Sequence, residues 1–277
     1  MKIIILTGSD LRHTFFRKVI SFNPNIETLQ SFCEDHAGKI DNLITNLNEE
    51  NIQRINHLKS RKVSEIDFFG LIDKIIPDHS NPLIIQRGTI NDEKYLKQII
   101  SLKPDLIICY GCSIIKEDLL NSFENKILNL HLGLSPYFRG SGTNFWPLYY
   151  NIPEYIGATF MFMDDGIDTG EIIHQIRPTI FENDSPHQIG NRLILKATLT
   201  FIEIIEKFNL LKKNKIKVNT SNLRKYKRKI DFTEKSVIKM KQNLKNGMLK
   251  QFLNNKDSRL IKAPIIENSV INNKIKY

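Results

Sequence analysis

An asparagine and a histidine two residues apart, Asn129 and His131, close the apolar run KILNLH, and Asp168 sits in the later segment FMFMDDGIDTGEIIHQ. Side chains alternate along an extended strand, so Asn129 and His131 project to one side and share a small volume. Asp168 lies in a glycine-punctuated turn, where a carboxylate can reach another strand's end and orient a histidine. Amide, imidazole and carboxylate together make a proton-transfer site. Singly, each has a plainer reading as a turn cap, a satisfied polar residue or a turn stabiliser; their joint order and spacing favour chemistry.

These groups need a scaffold. Residues 2–6 read as a strand ending at Thr7-Gly8-Ser9, followed by a helix with Leu11, Phe15, Phe16 and Ile20 at helical spacing. A single glycine there is not the GxGxxG of a dinucleotide site. Residues 34–63 are polar and charged, with a sparse stripe of Ile40, Leu43, Ile44 and Leu47, and read as a long surface helix or a mobile excursion. Strands are expected at 82–86, 105–110, 126–131, 157–163 and 171–177, with helices at 92–102 and 114–121. Asp184-Ser185-Pro186 opens a helix whose stripe Ile189, Leu193, Ala197, Phe201 and Ile204 carries it to about Phe208. Strands alternating with helices predict an α/β fold with a mostly parallel sheet, where ligands gather at the carboxyl ends of strands.

The chain has 277 residues and a formal charge of +10. Residues 211–277 hold 19 basic and 4 acidic side chains, leaving 21 basic and 26 acidic in 1–210, so a mildly acidic body precedes a strongly basic tail. We place a domain boundary near Leu210. The tail offers a strand-like patch at Ile216–Val218, a cationic cluster at 224–229 and a helix over 233–253; its charge reads first as a solvated surface and second as a contact for an anionic ligand. No run is long and apolar enough to span a membrane, and no secretory signal is evident, so a cytoplasmic location is expected. Cys33, Cys109 and Cys112 lack the pattern of a disulfide framework. The Cys109–Cys112 CxxC has no second pair or nearby histidine, so a zinc site is not expected, and a redox motif is the lesser reading.

The segments NLHLGLSPYFRGSGTNFWPL (129–148) and DDGIDTGEIIHQ (164–175) resemble the folate-dependent formyltransferase family. The resemblance implies a Rossmann-like catalytic domain over 1–210 and a formyl donor, 10-formyltetrahydrofolate, with no metal. It carries the family's catalytic Asn, His and Asp onto Asn129, His131 and Asp168: Asn129 stabilises an oxyanion, His131 handles the amine proton, and Asp168 tunes His131. Its folate pocket maps onto Tyr110, Gly111, Cys112, Ser113 and Ile114 and onto the turn with Asp164 and Asp165. Many members have Ser-Leu-Leu-Pro where this chain has Gly133-Leu134-Ser135-Pro136, which puts the acceptor loop's shape apart. His174 has no motif support and reads as structural.

For the acceptor, Gly8, Ser9 and Arg12 lie at a helix start that favours an anion. Pro136, Tyr137, Arg139, Gly140 and Thr143 form the loop beside the reacting centre. Together with YKRKIDFT in the tail, the loop motif is similar to the branch that formylates nucleotide-linked amino sugars, and a phosphorylated small-molecule amine is expected. Methionyl-tRNA ranks second, because a tail of 67 residues is short for that branch's C-terminal domain; nucleic acid is therefore not the expected partner. A formyltetrahydrofolate hydrolase and a non-enzymatic ligand-binding scaffold complete the alternatives. The basic extension is expected to contact substrate or to form a homodimer.

Overall fold

The computed structural model describes residues 1–35, 40–212 and 225–272. Seven strands make the central sheet: Lys2–Gly8 (β1), Glu27–Asp35 (β2), Pro82–Gln86 (β3), Leu106–Tyr110 (β4), Ile127–His131 (β5), Ala158–Phe162 (β7) and Ile172–Ile176 (β8), while Phe138–Gly140 (β6) lies outside it. Their order is β3-β2-β1-β4-β5-β7-β8. The first five in that order run parallel, β7 runs antiparallel to β5, and β8, antiparallel to β7, returns to the common direction. The protein is thus a Rossmann-like, mostly parallel α/β fold. Parallel strands are buried on both faces, which is why IIIL in β1 and LIICY in β4 are unbroken apolar runs.

Helices Leu11–Ser21 (α1), Ile52–Ile75 (α3) and Pro186–Glu206 (α7) cover one face; Ile40–Thr45 (α2) precedes α3. Glu93–Leu102 (α4) and Glu117–Ser122 (α5) cover the other. Helix α7 starts at a capping box, Ser185 accepting from the Gln188 amide while Gln188 accepts from the Ser185 amide. Its stripe of Leu193, Ala197, Phe201 and Ile204 is buried against Phe16, Leu128 and Phe160. Burying each large side chain contributes about 1.5–3 kcal/mol.

One strand was not expected, and one expected helix lies further along the chain. β2 goes unread in the sequence because ETLQSFCED interleaves polar residues, yet Ser31, Phe32, Cys33 and Glu34 are all buried between β1 and β3. The polar stretch after it is in part the 24-residue α3, whose buried positions are Leu58, Ser64, Glu65 and Phe69. Of the two readings of 34–63, the long helix is the one present, starting at Ile52; its buried face includes the ionised Glu65 and not the stripe from Ile40 to Leu47.

In the tail, Ile216–Val218 lies outside the described residues, as does Arg224 of the cationic cluster. Lys225–Lys227 form a short strand (β9) paired parallel with β6. The single helix expected over 233–253 is two, Glu234–Lys245 (α8) and Met248–Asn254 (α9), because Gly247 takes φ 78° between them; Lys256–Ile261 (α10) follows. Val237, Met240, Met248 and Leu249 pack on Leu148 of the helix Phe145–Tyr149 (α6), on Ile156 and on Ile189. Among the described residues no helix is long and apolar enough to cross a membrane.

Candidate active site

Strand β5 sends Leu128 and Leu130 into the core under α1 and α7 and Ile127 into the core under α4 and α5. Alternation therefore puts Asn129 and His131 on Ile127's side, at the carboxyl end of the strand. Register pairs Asn129 with Cys109 and Met161, and His131 with Thr159. The turn 163–171 lies between β7 and β8, and Asp168 within it has φ 53°, a left-handed conformation that short polar side chains tolerate.

His131 Nδ1 stands 3.1 Å from Asp168 Oδ1. Its Nε2 stands 3.1 Å from the Phe138 carbonyl oxygen. With a proton on Nδ1 held by Asp168, Nε2, beside the Phe138 carbonyl, is the nitrogen left to take or give a proton. The second carboxylate oxygen of Asp168 accepts from the Gly140 amide at 2.9 Å. Burial pushes the Asp168 carboxyl up, but the hydrogen bond and charge of His131, the Gly140 amide and the Arg139 charge outweigh it and leave it below the usual carboxylate value. Asn129 is half-buried, and its amide makes no hydrogen bond among the described residues. Gly133 lies directly under the ring: a Cβ there would stand 2.5 Å from His131 Nε2 and 2.6 Å from Thr143 Cβ.

The expected cofactor loop follows β4. Tyr110 is buried, its hydroxyl pushed up to about 12 by burial. Gly111 has φ 72°, and a Cβ on it would stand 2.4 Å from His13 Nε2; one on Gly8 would meet the same ring at 2.8 Å. Cys112 is half-buried and Ile114 is 63% exposed. Glu34, 1% exposed at the end of β2, accepts from the Gly88 amide at 2.9 Å and from the Ser113 amide at 2.6 Å, tying the loops after β3 and β4 together. Asp164 accepts from Gly166 N and Thr169 Oγ1, holding its own turn, and Asp165 is exposed. The Cys109 thiol is pushed well up, by burial first and then by Cys112, which leaves little thiolate for redox chemistry.

The expected acceptor residues divide. Arg139, Gly140 and Thr143 surround the His131–Asp168 pair, Thr143 donating to the Leu132 carbonyl. Pro136 follows a cis peptide, and Tyr137 is buried, donating to Pro264 O at 3.0 Å. Ser9 donates to Asp35, and Arg12 is ion-paired with Glu65 of α3. His174 is buried in β8, where its Nδ1 accepts from Asn268 N at 2.9 Å, a structural contact.

Sequence reasoning missed four groups here: Glu34, His13, and the half-buried imidazoles His57 and His187, whose centroids lie 4.3 Å apart. Glu34 lies in a strand that had not been read, and His57 in a stretch read only as a surface helix or an excursion. His13 and His187 lie in elements that had been read, but nothing local marks the crossing of two glycine loops or the meeting of two helices. No group of three or more metal-ligating side chains occurs among the described residues.

An amide, an imidazole and a carboxylate on a strand end, with a backbone-lined loop on each side, define an α/β enzyme of the acyl-transfer kind. The chain belongs to the formyl transferase family, whose domain matches residues 40–205. A methionyl-tRNA formyltransferase of Thermodesulfovibrio yellowstonii is 29% identical over 126 residues, 45% of this chain and 40% of that protein. The match thus spans less than half the length of that relative. Among solved structures, a sugar N-formyltransferase from Shewanella sp. superposes with TM-score 0.55 at 17% identity, covering 84% of this chain and 78% of the other. A 4-N formyltransferase from Francisella tularensis does so with TM-score 0.53 at 21% identity, covering 83% and 77%. At such identities these two likenesses speak for the fold.

Proposed function

We propose that the protein transfers the formyl group of 10-formyltetrahydrofolate to the primary amine of a nucleotide-linked amino sugar. The observation that carries this reading is the His131–Asp168 pair at 3.1 Å, on the strand whose preceding outward residue, Asn129, has an unengaged amide. The amine nitrogen bonds to the formyl carbon, whose oxygen takes up negative charge. Asn129 donates to that oxygen, an effect worth about 2.7–4 kcal/mol of barrier where measured for a single donor. His131 takes the proton the amine loses and gives it to the folate nitrogen as that nitrogen's bond to the formyl carbon breaks, Asp168 fixes the ring and balances its charge, and tetrahydrofolate leaves. Ile114 and Ile167, exposed aliphatic side chains on the two flanking segments, suit the flat ring of the donor. On this reading residues 1–210 hold the catalytic machinery and 211–277 reach the acceptor.

The test is incubation of the full chain with 10-formyltetrahydrofolate and a panel of nucleotide-linked amino sugars, read as a mass gain of one formyl group. His131→Ala and Asp168→Ala are expected to abolish the gain with the fold intact by circular dichroism; full turnover in either overturns the assignment. Formate release without any amine would instead indicate a hydrolase. A second reading, methionyl-tRNA as acceptor, is favoured by the sequence relatives. It requires binding that weakens steeply with salt, since several phosphates would be neutralised, whereas small-molecule turnover should respond weakly.

A further inference from the structure

Strand β9, contributed by the basic tail, lies beside the catalytic loop in a two-stranded parallel ribbon with β6, Phe138, Arg139 and Gly140 facing Lys225, Tyr226 and Lys227. The ribbon is fixed at both ends: Lys225 N donates to Tyr137 O at 2.8 Å, and Ser141 N donates to Lys227 O at 2.7 Å. Its two faces differ. Lys225 Nζ lies 4.4 Å from the centroid of Tyr150, and Lys227 Nζ lies 4.5 Å from that of Trp146. Phe138 packs on the same side, 6.4 Å from Tyr150. These cations are therefore committed to aromatic rings.

Alternation turns Tyr226 and its register partner Arg139 to the opposite face. The Tyr226 ring remains 49% exposed. Arg139 forms no ion pair among the described residues, while its charge contributes to holding the Asp168 carboxyl down. Gly140, which donates its amide to Asp168, has φ 88°, and a Cβ on it would stand 3.0 Å from Tyr226 Cε2 and 2.2 Å from Lys227 O. The Tyr226 ring thus lies against the residue that touches the catalytic carboxylate.

We infer that Tyr226 and Arg139 form the subsite for the acceptor's carrier, a nucleoside diphosphate, with the base stacked on the phenol and a phosphate held by the guanidinium; the inference rests on the proposed formyl transfer to a nucleotide-linked amine. A flat, half-exposed ring calls for a flat partner, and a planar guanidinium without a carboxylate suits a phosphate. Among the described residues, the paired segments 138–140 and 225–227 present one exposed ring and one cation held by neither a carboxylate nor a ring, which fits a single nucleotide. With the carrier along the ribbon, the sugar amine extends past Gly140 toward His131. Tyr226 is then a specificity-determining residue supplied by the tail to a reaction centred on β5.

The experiment is equilibrium binding of uridine diphosphate, thymidine diphosphate and inorganic pyrophosphate to the full chain, with no folate and no amine present. Wild type is expected to bind a nucleoside diphosphate more tightly than pyrophosphate. Tyr226→Ala should lose about 5- to 150-fold for the nucleotide and little for pyrophosphate, and Tyr226→Phe should retain binding. Arg139→Ala should weaken both ligands. No nucleotide binding by wild type, equal binding of nucleotide and pyrophosphate, or an unchanged Tyr226→Ala protein overturns the proposal, as does single-stranded RNA displacing the nucleotide with a steep salt dependence. Tyr226-dependent nucleotide binding in a protein that formylates no amine would leave this subsite standing and remove the formyl-transfer reading; formylation of a nucleotide-free amine with Tyr226 irrelevant would do the reverse. Thermal melts of each variant separate lost binding from lost folding.

Discussion

At the residue scale, the site depends on the direction in which a few polar atoms point. Asp168 bridges two partners, His131 and the Gly140 amide, from a left-handed backbone position that asparagine also tolerates. Asp168→Asn therefore removes the charge with little backbone strain, and kcat is expected to fall about 10²–10⁴-fold with thermal stability nearly kept. A variant melting near wild type and retaining its rate would show that the carboxylate charge does not serve catalysis. Gly133 is the other sensitive position. Its Cβ would stand 2.5 Å from His131 Nε2, so Gly133→Ala should displace the ring or the Thr143 side chain; a lowered kcat in a folded protein is expected, checked by kinetics alongside circular dichroism.

At the element scale, the loops at the carboxyl edge are held by a residue from the strand that the sequence left unread. Glu34 on β2 accepts from the loops after β3 and β4 at once. Glu34→Gln replaces one accepting oxygen by an amide that faces a backbone N–H, leaving a buried donor unpaired at a cost of about 1–3 kcal/mol. The melting temperature should drop, and the KM for the folate donor should rise on the order of tenfold while the KM for the acceptor amine changes little. An unchanged donor KM would mean that the Tyr110–Ile114 loop does not wall the donor site. The strands and helices carrying Asn129, His131 and Asp168 were legible because each is a short apolar run bounded by turn residues. β2 was not, and α3 was legible only as one of two readings and without its buried face, since their buried positions include Ser31, Glu34, Ser64 and Glu65, which become tolerable inside only once partners from distant segments are in place.

At the scale of the whole molecule, α3, α7 and α8 meet over a cluster of ionisable groups. His57 is lowered to about 4, by burial first and then by Lys241 and Arg61. His187 is lowered to about 3, by burial first, then by His57, Arg61 and Arg12, with Glu65 opposing. Burial raises the Glu65 carboxyl, but Arg12 and Arg61 outweigh it and bring it to about 2. Both imidazoles are uncharged in the folded protein at neutral pH. The unfolded chain takes up protons on them near pH 6.5, before the folded protein does, so stability is full above that value and declines as pH falls toward 4. Glu65, paired in the fold, adds a further loss below about pH 4.5. The melting temperature should hold steady above pH 7 and drop between 6.5 and 4, and His57→Phe should flatten that drop by about one proton's worth of slope. A slope unaltered by the substitution would remove this cluster as its source.

The sequence by itself determined which polar groups could act together, because Asn129 and His131 share a face through strand alternation and Asp168 sits in a glycine-punctuated turn. It also determined the α/β class, which apolar period and capping residues express locally. Only the tertiary structure decided which groups surround those residues: that Arg12 is spent on Glu65, that Glu34 ties two loops, and that Tyr226 of the tail pairs in register with Arg139. The physical reason is that a buried charge or a half-exposed ring is set by partners 50 to 90 residues away along the chain, here Glu65 for Arg12, Ser113 for Glu34 and Arg139 for Tyr226, and no local pattern records them.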